Sequence, residues 1–413
     1  MSAAIVIFAV TYLAIAGRPL PFLQHIDRPG AAMCGAIAMV AFGALPLAEA
    51  HRAIDLDVIT LLLGMMIIAA YLTDARFFRH SAWWVLTRAR SARSLLWALV
   101  FVAGGLSAVL VNDTICLMMT PLVLAVVTEA GLPPLPYLLA LASAANLGGV
   151  VTFTGNPQNM IIGELAAGDP SYLEYLVRAL PAGAVCLALD AALLTWMFRK
   201  ELPHGPLAER APPRPYLDRP LAAKALGALG VFVVLAASGY PLAGAAIACA
   251  AVLSIAAGRP MRPVLAQVDW PLLLFFAGLF VVVAGLRHSG AIEEWTRELV
   301  PLFGRGDLAG DLAFVALVVV GSNLVSNVPL VILAGNWVPA MPHPSWGYIL
   351  LAFASTLAGN LTLFGSVANI IVFEGAGTRG HISFLRFLRH GAVLTLVTLA
   401  AALALLYLER FLF

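Results

Sequence analysis

The chain has 413 residues, of which 62% are hydrophobic and only 11% charged, with a mean hydropathy of +0.94 and a formal net charge of +2. Soluble domains carry about a quarter charged residues, so this composition excludes a soluble globular protein and indicates a helical, polytopic membrane protein. The near-zero charge gives no footing for nucleic-acid binding, and no P-loop is present, so any movement of solute would draw on a gradient.

Apolar segments fall at 2–17, 30–48, 56–73, 95–128, 136–166 and 172–198. Beyond a Pro- and Arg-rich linker at 201–220 they recur at 221–238, 242–257, 269–286, 308–339, 346–373 and 383–408. The first lacks the basic leader of a signal peptide and has a counterpart in the second half, so it reads as a helix. The segments 95–128 and 308–339 are each long enough for two short helices with a polar tip between them, which predicts two re-entrant hairpins. The segments 136–166 and 346–373 carry Gly- and Asn-rich breaks and predict two discontinuous crossings. Ahead of the hairpins, Trp83-Trp84 with Arg88 and Arg90, and the stretch 292–299, read as amphipathic helices lying in the membrane interface. Cys34, Cys116, Cys186 and Cys249 stand alone in apolar runs and read as packing residues, Cys116 and Met118 included despite their place near a hairpin tip.

The halves repeat. Gly30-Ala31-Ala32-Met33 matches Gly244-Ala245-Ala246-Ile247, an offset of 214, and Asp55 and Gly64 match Asp269 and Gly278 at the same offset. Asn146-Leu147 then falls on Asn360-Leu361, and Asn112-Asp113-Thr114 on Ser326-Asn327-Val328. After a four-residue deletion, Gly155-Asn156-Pro157-Gln158-Asn159 aligns with Gly365-Ser366-Val367-Ala368-Asn369 at 210. Five crossings plus one hairpin per half make an odd count, so the repeats, 1–200 and 221–413, are inverted in topology, with about ten transmembrane segments in all. Arginine is dense around 18–28, 76–93, 199–219 and 259–262 and at Arg379, whereas the opposite face receives only Arg52, Arg178, Arg287, Arg297, Arg305 and Arg410. Positive-inside then places the linker in the cytoplasm and both termini outside it, in a cell inner (plasma) membrane.

Unwound backbone at membrane depth survives where it lines a polar cavity, with half-helix N-termini facing anions and freed carbonyls facing cations. The candidate site gathers Asn112, Asp113, Thr114, Asn146, Thr154, Gly155, Asn156 and Asn159 from the first half. Ser326, Asn327, Asn360, Thr362, Gly365, Ser366 and Asn369 come from the second, with Thr152, Gln158, Ser322 and Asn323 nearby. Any one of these amides or hydroxyls could instead serve only to bond neighbouring helices. Asp113 is the sharpest residue: a charge at that depth costs a few kcal/mol or more, so it reads as a proton carrier or cation ligand, against a plain helix-capping role. Asp190 is a second acid in an apolar run and could pair with Arg199 two turns on; Glu164 and Glu374 read as markers of the water boundary. No metal cluster or nucleophile–base pair stands out, so neither an enzyme nor a resident cofactor is expected, only a proton or sodium as coupling ion.

These tips and breaks resemble the ion-transporter superfamily of arsenite permeases, citrate-transporter-like proteins, divalent-anion/sodium symporters and a sodium/proton antiporter branch. The resemblance spans nearly the whole chain. It implies a homodimer working as an elevator, with 2–73 and 221–286 as scaffold and the hairpins, broken helices and last helices of each half as the moving part. The dicarboxylate symporters carry Ser-Asn-Thr at both tips. Here the tips read Asn112-Asp113-Thr114 and Ser326-Asn327-Val328, and the acid is more similar to the arsenite permease side, where a proton-coupled antiporter exports arsenite or antimonite. That branch would bring a peripheral ATPase as partner. Sodium- or proton-coupled transport of a dicarboxylate, citrate or inorganic oxyanion, and sodium/proton antiport, stay open as alternatives.

Overall fold

A computed structural model describes residues 2–15, 26–203, 205 and 214–412. The first half runs α1 (Ser2–Ile15), α2 (Arg28–Ala41), α3 (Leu47–Ala53), α4 (Leu56–Asp74), α5 (Phe77–Arg88), α6 (Ala92–Val109), α7 (Asn112–Glu129), α8 (Pro134–Gly149), α9 (Pro157–Leu165) and α10 (Tyr172–Met197). The second runs α11 (Arg219–Ala237), α12 (Leu242–Ala257), α13 (Arg262–Leu265), α14 (Trp270–His288), α15 (Ala291–Phe303), α16 (Leu308–Val325), α17 (Asn327–Ala334), α18 (Pro344–Ala358), α19 (Val367–Gly375) and α20 (Phe384–Leu412). Among the described residues, eight helices are long and apolar enough to cross a membrane: α4, α6, α7, α10, α11, α14, α16 and α20.

Short polar residues set the helix starts, and they do so in matched pairs. Asp55 accepts from the Val58 N–H at 3.0 Å to open α4, and Asp269 accepts from the Leu272 N–H at 3.0 Å to open α14. Ser91 caps α6 and Asp307 caps α16 in the same way. Each supplies an acceptor for an N–H that the helix itself cannot satisfy.

Both hairpins and both broken helices form where the sequence pattern places them. The arms of the first hairpin, α6 and α7, have 18 residues each, about 27 Å at 1.5 Å per residue. Length alone would therefore let each arm cross. What marks the tip as internal is its neighbour: the Asn112 N–H donates to the Gly155 carbonyl at 2.9 Å, in the break between α8 and α9. The two stretches expected ahead of the hairpins also form helices, α5 and α15. Two segments differ from expectation. The segment 30–48 stops being α2 at Ala41, then turns through Gly43 at φ +69° into α3, because a glycine there ends the helix without a Cβ clash. The helix of segment 2–17 is described to Ile15; residues 16–17, Arg18 and, in the linker, 204 and 206–213 with Arg210 lie outside the described residues.

The packing is reciprocal, as a two-fold axis between the halves demands. Helix α4 packs on α12 while α2 packs on α14. A Cβ on Gly64 would lie 2.7 Å from the Ala246 carbonyl carbon, and one on Gly278 2.8 Å from that of Ala32. These are the same contact seen from each half, at the offset of 214, and only glycine lets the backbones approach so closely. Around this crossing α1, α2, α4, α11, α12 and α14 form one body. The hairpins pack on α8, α18, α10 and α20 to form the other. Side chains tie each hairpin to the last helix of its half: Trp97 Nε1 donates to Thr195 Oγ1 at 3.1 Å, and at the matching place Tyr407 donates to Asp311, which also accepts from Trp346 Nε1 at 2.7 Å.

Candidate functional site

Four helix N-termini converge where the two bodies meet. A narrow cavity of about 20 Å³ is lined by Asn112 and Asp113 from the start of α7, Pro157 and Gln158 from α9, Asn327 and Val328 from α17, and Ser366 and Val367 from α19. Ser326 and, from the facing α14, Leu272, Phe275 and Phe276 complete the lining. Each N-terminus turns the positive end of a helix dipole to the cavity, although some first-turn N–H groups are already taken: that of Asp113 by Asn112 Oδ1 at 2.9 Å and that of Asn159 by Asn156 Oδ1 at 2.8 Å. No Lys, Arg or His lines this cavity among the described residues, and Asp113 is its one ionisable group.

Behind the cavity the amides form a connected network. Asn112 Nδ2 donates to Asn146 Oδ1 at 3.0 Å, Ser366 Oγ donates to the same oxygen at 3.1 Å, and Asn146 Nδ2 donates to Asn360 Oδ1 at 2.8 Å. In the same way Asn156 Nδ2 and Gln158 Nε2 of the first half each donate to Thr356 Oγ1 of the second at 3.3 Å. Thr356, 0% exposed, was not among the residues singled out from the sequence. Its signal lies in the repeat: Ser366–Asn146 and Asn156–Thr356 are reciprocal contacts at the offset of 210.

That reciprocity corrects the sequence alignment of the halves. Asn159 Nδ2 donates to the carbonyls of Gly149 and Thr152, and Asn369 Nδ2 donates to those of Gly359 and Thr362, again at 210. The offset therefore changes before α18, not after it, and the counterpart of Asn146 is Thr356, while Asn360 has none at 214. At the tips, α7 begins at Asn112 and α17 at Asn327, an offset of 215. Ser107 and Ser322, both fully buried with no hydrogen-bond partner, match at that same offset. The structural counterpart of Asp113 is thus Val328.

The other sequence-selected residues divide by place. Asn112, Asp113, Ser326, Asn327 and Ser366 meet in the cavity. Asn146, Asn156 and Asn360 sit behind it. Asn159 and Asn369 commit their NH₂ groups to the carbonyls freed at each break, which would otherwise be buried unpaired. Thr154 turns to Thr152 at 3.2 Å, and Thr362 donates to Asn323 Oδ1 at 2.8 Å. Gly155 and Gly365 permit close passage: a Cβ on Gly155 would lie 2.3 Å from the Gly149 carbonyl oxygen, and one on Gly365 2.8 Å from Asn323 Oδ1. At the second tip Ser326 stands at φ +77°, ψ 158°, a region glycine occupies freely and other residues at a cost of about 1–3 kcal/mol.

Thr114 faces a second space. A vestibule of about 320 Å³ is lined by Thr73, Asp113, Thr114, Met118, Gln267 and Asp269 among others, so Asp113 lines both spaces. Arg28, at the start of α2, is close enough to interact electrostatically with Asp113 and Glu374, and Asp269 acts on Asp113 from the opposite sign. The sequence pattern marked Asp269 as a repeat landmark and Arg28 as a loop charge but placed neither at the site, because both belong to helix starts far away in the chain. Asp190 does not pair with Arg199; it is fully buried, and its Oδ2 lies 2.9 Å from Ser143 Oγ on α8. Cys116 is buried and free.

A family model described as citrate transporter, CitMHS, matches residues 10–347. The chain belongs to this family. It is 30% identical to the silicon efflux transporter LSI3 of Oryza sativa subsp. japonica, over 97% of this chain and 96% of the relative. An uncharacterized transporter of Mycobacterium tuberculosis is 32% identical over 98% of this chain and 99% of its own length. A Dictyostelium discoideum protein carrying the transporter name arsB is 24% identical, covering 95% and 90%. The fold is that of the Alcanivorax borkumensis YdaH transporter, with a TM-score of 0.62 at 14% identity over 99% of this chain and 97% of that one. This CitMHS protein is a multi-pass membrane transporter of the ion-transporter superfamily.

Proposed function

We propose that this chain is a secondary active transporter that exports arsenite or antimonite in exchange for protons, with Asp113 carrying the proton. The observation that supports this reading is the cavity at the four N-termini, which offers amides, hydroxyls and one carboxyl and no cationic side chain. Arsenite is a neutral trihydroxide at neutral pH. Its oxygens can accept from the helix N–H groups and its hydroxyls can donate to an ionised Asp113 and to the Ser and Asn oxygens. Protonating Asp113 removes its strongest acceptor, so solute and proton exclude one another, and mutual exclusion at one site is what exchange requires. The silicon efflux relative fits the same chemistry, since silicic acid is also a neutral hydroxide.

A second reading rests on the same four N-termini, which favour an anion. A dicarboxylate, citrate or inorganic oxyanion would meet repulsion from an ionised Asp113 and bind with Asp113 protonated. Proton and solute would then move together. The two readings differ in sign. In a weakly buffered solution of purified protein, arsenite binding should release protons from the wild type and none from Asp113→Asn. Proton uptake with succinate or citrate, and no response to arsenite, would replace the first reading by the second. A response to sodium alone would point to sodium/proton antiport.

In this reading the inverted repeats 1–200 and 221–413, joined by a cytoplasmic linker at 201–220, work as an elevator in a plasma-membrane homodimer with both termini outside the cytoplasm. The body around α4, α12, α2 and α14 is the scaffold and the hairpin body moves.

A further inference from the structure

A second carboxyl lies inside the hairpin body, away from the cavity. Asp190 sits about two turns before the end of α10, is 0% exposed, and has one oxygen, Oδ1, with no hydrogen-bond partner. Its other oxygen meets Ser143 Oγ at 2.9 Å. Ser143 Oγ also lies 2.8 Å from the Leu139 carbonyl. A serine hydroxyl has one proton to give, and here two acceptors flank it. If Asp190 were ionised, Ser143 would satisfy only one of them, and the carboxylate would keep a bare oxygen in an apolar interior. If Asp190 is neutral, Oδ2–H donates to Ser143 Oγ and Ser143 donates onward to Leu139. Ser143 and Oδ2 are then both satisfied, and the one oxygen left over, Oδ1, is an uncharged carbonyl-type acceptor.

Ser143 also faces the amide network. It is three residues before Asn146, on the same face of α8, and Asn360 Nδ2 reaches its backbone carbonyl at 3.5 Å. Asn146 in turn holds Asn112, Ser366 and Asn360. A change in the charge of Asp190 is therefore felt one helical turn from the residue that positions the first hairpin tip. Among ionisable groups, Cys186, one turn back on α10, senses its charge. On the packed elements, Tyr137 of α8 is bonded to the Ala92 carbonyl, Arg93 lies in the first turn of α6, and Lys224 of α11 reaches the Ala256 carbonyl. On α20, Tyr407 and Arg410 are engaged by Asp311 and His390 by the Arg386 carbonyl, with Arg386, Arg389 and Glu409 near its ends. The repeat counterpart of this position on α20 is an apolar stretch, so the second half has no equivalent acid.

We propose that Asp190 is a proton-binding site of the transport cycle, distinct from Asp113, and that it holds one proton in the conformation described here. The proposal rests on gradient-driven transport but not on which solute is moved. Its test is infrared difference spectroscopy of the full-length protein in lipid, using pH alone as the perturbation. A neutral carboxyl band is expected under conditions where an ordinary aspartate is ionised. It should be lost in Asp190→Asn, shifted in Ser143→Ala, retained in Asp113→Asn, and it should disappear as the pH is raised. Asp190→Asn preserves the donor to Ser143, so in proteoliposomes it should remain folded and lose at least tenfold in proton-driven flux. A band that never titrates, or Asp190→Asn with wild-type proton coupling, would reduce Asp190 to a fixed structural donor and overturn the proposal. If arsenite proves not to be the solute, the spectroscopic result stands unaffected.

Discussion

Replacing Gly148 by alanine tests how closely the first hairpin must lie against the first broken helix. A Cβ at position 148 would stand 1.9 Å from the Gly104 carbonyl oxygen and 2.4 Å from its carbonyl carbon and Cα. All three atoms are backbone, so no rotamer can yield. Restoring an ordinary contact of about 3.4 Å needs α6 and α8 to part by roughly 1.5 Å, a typical overpacking that costs about 1–3 kcal/mol. Such a shift would carry the 3.0 Å bond between Asn112 and Asn146 beyond hydrogen-bond reach and pull the hairpin tip off the Gly155 carbonyl. Displacing a positioned group by about 1 Å can lower a rate by about 100-fold. Gly148→Ala should therefore lower the Tm of the purified protein and reduce flux in proteoliposomes at least tenfold. Gly105→Ala is the control: it is on α6, one residue along, with nothing within 4 Å of a Cβ, and removing a mid-helix glycine is worth about 0.5–1 kcal/mol in favour of the helix. If Gly148→Ala matches the wild type in Tm and flux while Gly105→Ala does the same, the close approach of the two backbones is not what holds the tip in place.

Three further outcomes are expected. Asn369→Ala removes the donor to the Gly359 carbonyl at 2.7 Å and to the Thr362 carbonyl at 3.0 Å, orphaning two buried acceptors at about 1–3 kcal/mol each, which thermal unfolding in detergent should register along with weaker solute binding. Asp311→Asn keeps the shape but removes the charge that Tyr407, Trp346 and Arg410 share; because Arg410 is partly exposed the loss should be about 1–3 kcal/mol in stability, with hydrogen exchange rising at the start of α16 and the end of α20. Asp218 caps α11 through the Leu221 N–H and pairs with Arg259, and these hold its carboxyl below the usual range. A depressed folded-state pKa contributes stability above the ordinary Asp range and loses it as pH falls through the folded value, so amide protection at Arg219, Leu221 and Ala222, measured relative to the intrinsic exchange rate at each pH, should fall on acidification and not on raising the pH.

The register of the repeat shows where sequence reading stops. Polar landmarks located both hairpin tips and both breaks, because an Asn or Asp in an otherwise apolar run is conspicuous whatever surrounds it. Pairing those landmarks across the halves was harder. Asn146 and Asn360 share an identity at the offset of 214, yet the bonds of Asn159 and Asn369 to equivalent carbonyls place the equivalence at 210, with Thr356 opposite Asn146. Residue identity marks polarity; only the pattern of bonded carbonyls marks position. The same limit applied to role. Asn159 and Asn369 look like ligands in the sequence, but their amide groups close the breaks that make ligand binding by their neighbours feasible.

Composition and periodicity were enough to establish an all-helical, twofold-repeated membrane protein with interrupted helices and an acid at one tip, since burial cost and helical period act on each segment locally. What they could not reach depends on segments far apart in the chain meeting in space. Phe275 and Phe276 face the cavity from α14, Arg28 comes within electrostatic range of Asp113 from α2, and Asp190 finds Ser143 instead of Arg199. Each of these is decided by which helix packs on which, and that is set by the two-fold crossing of α4 on α12 and α2 on α14, where glycines let the halves approach to backbone contact.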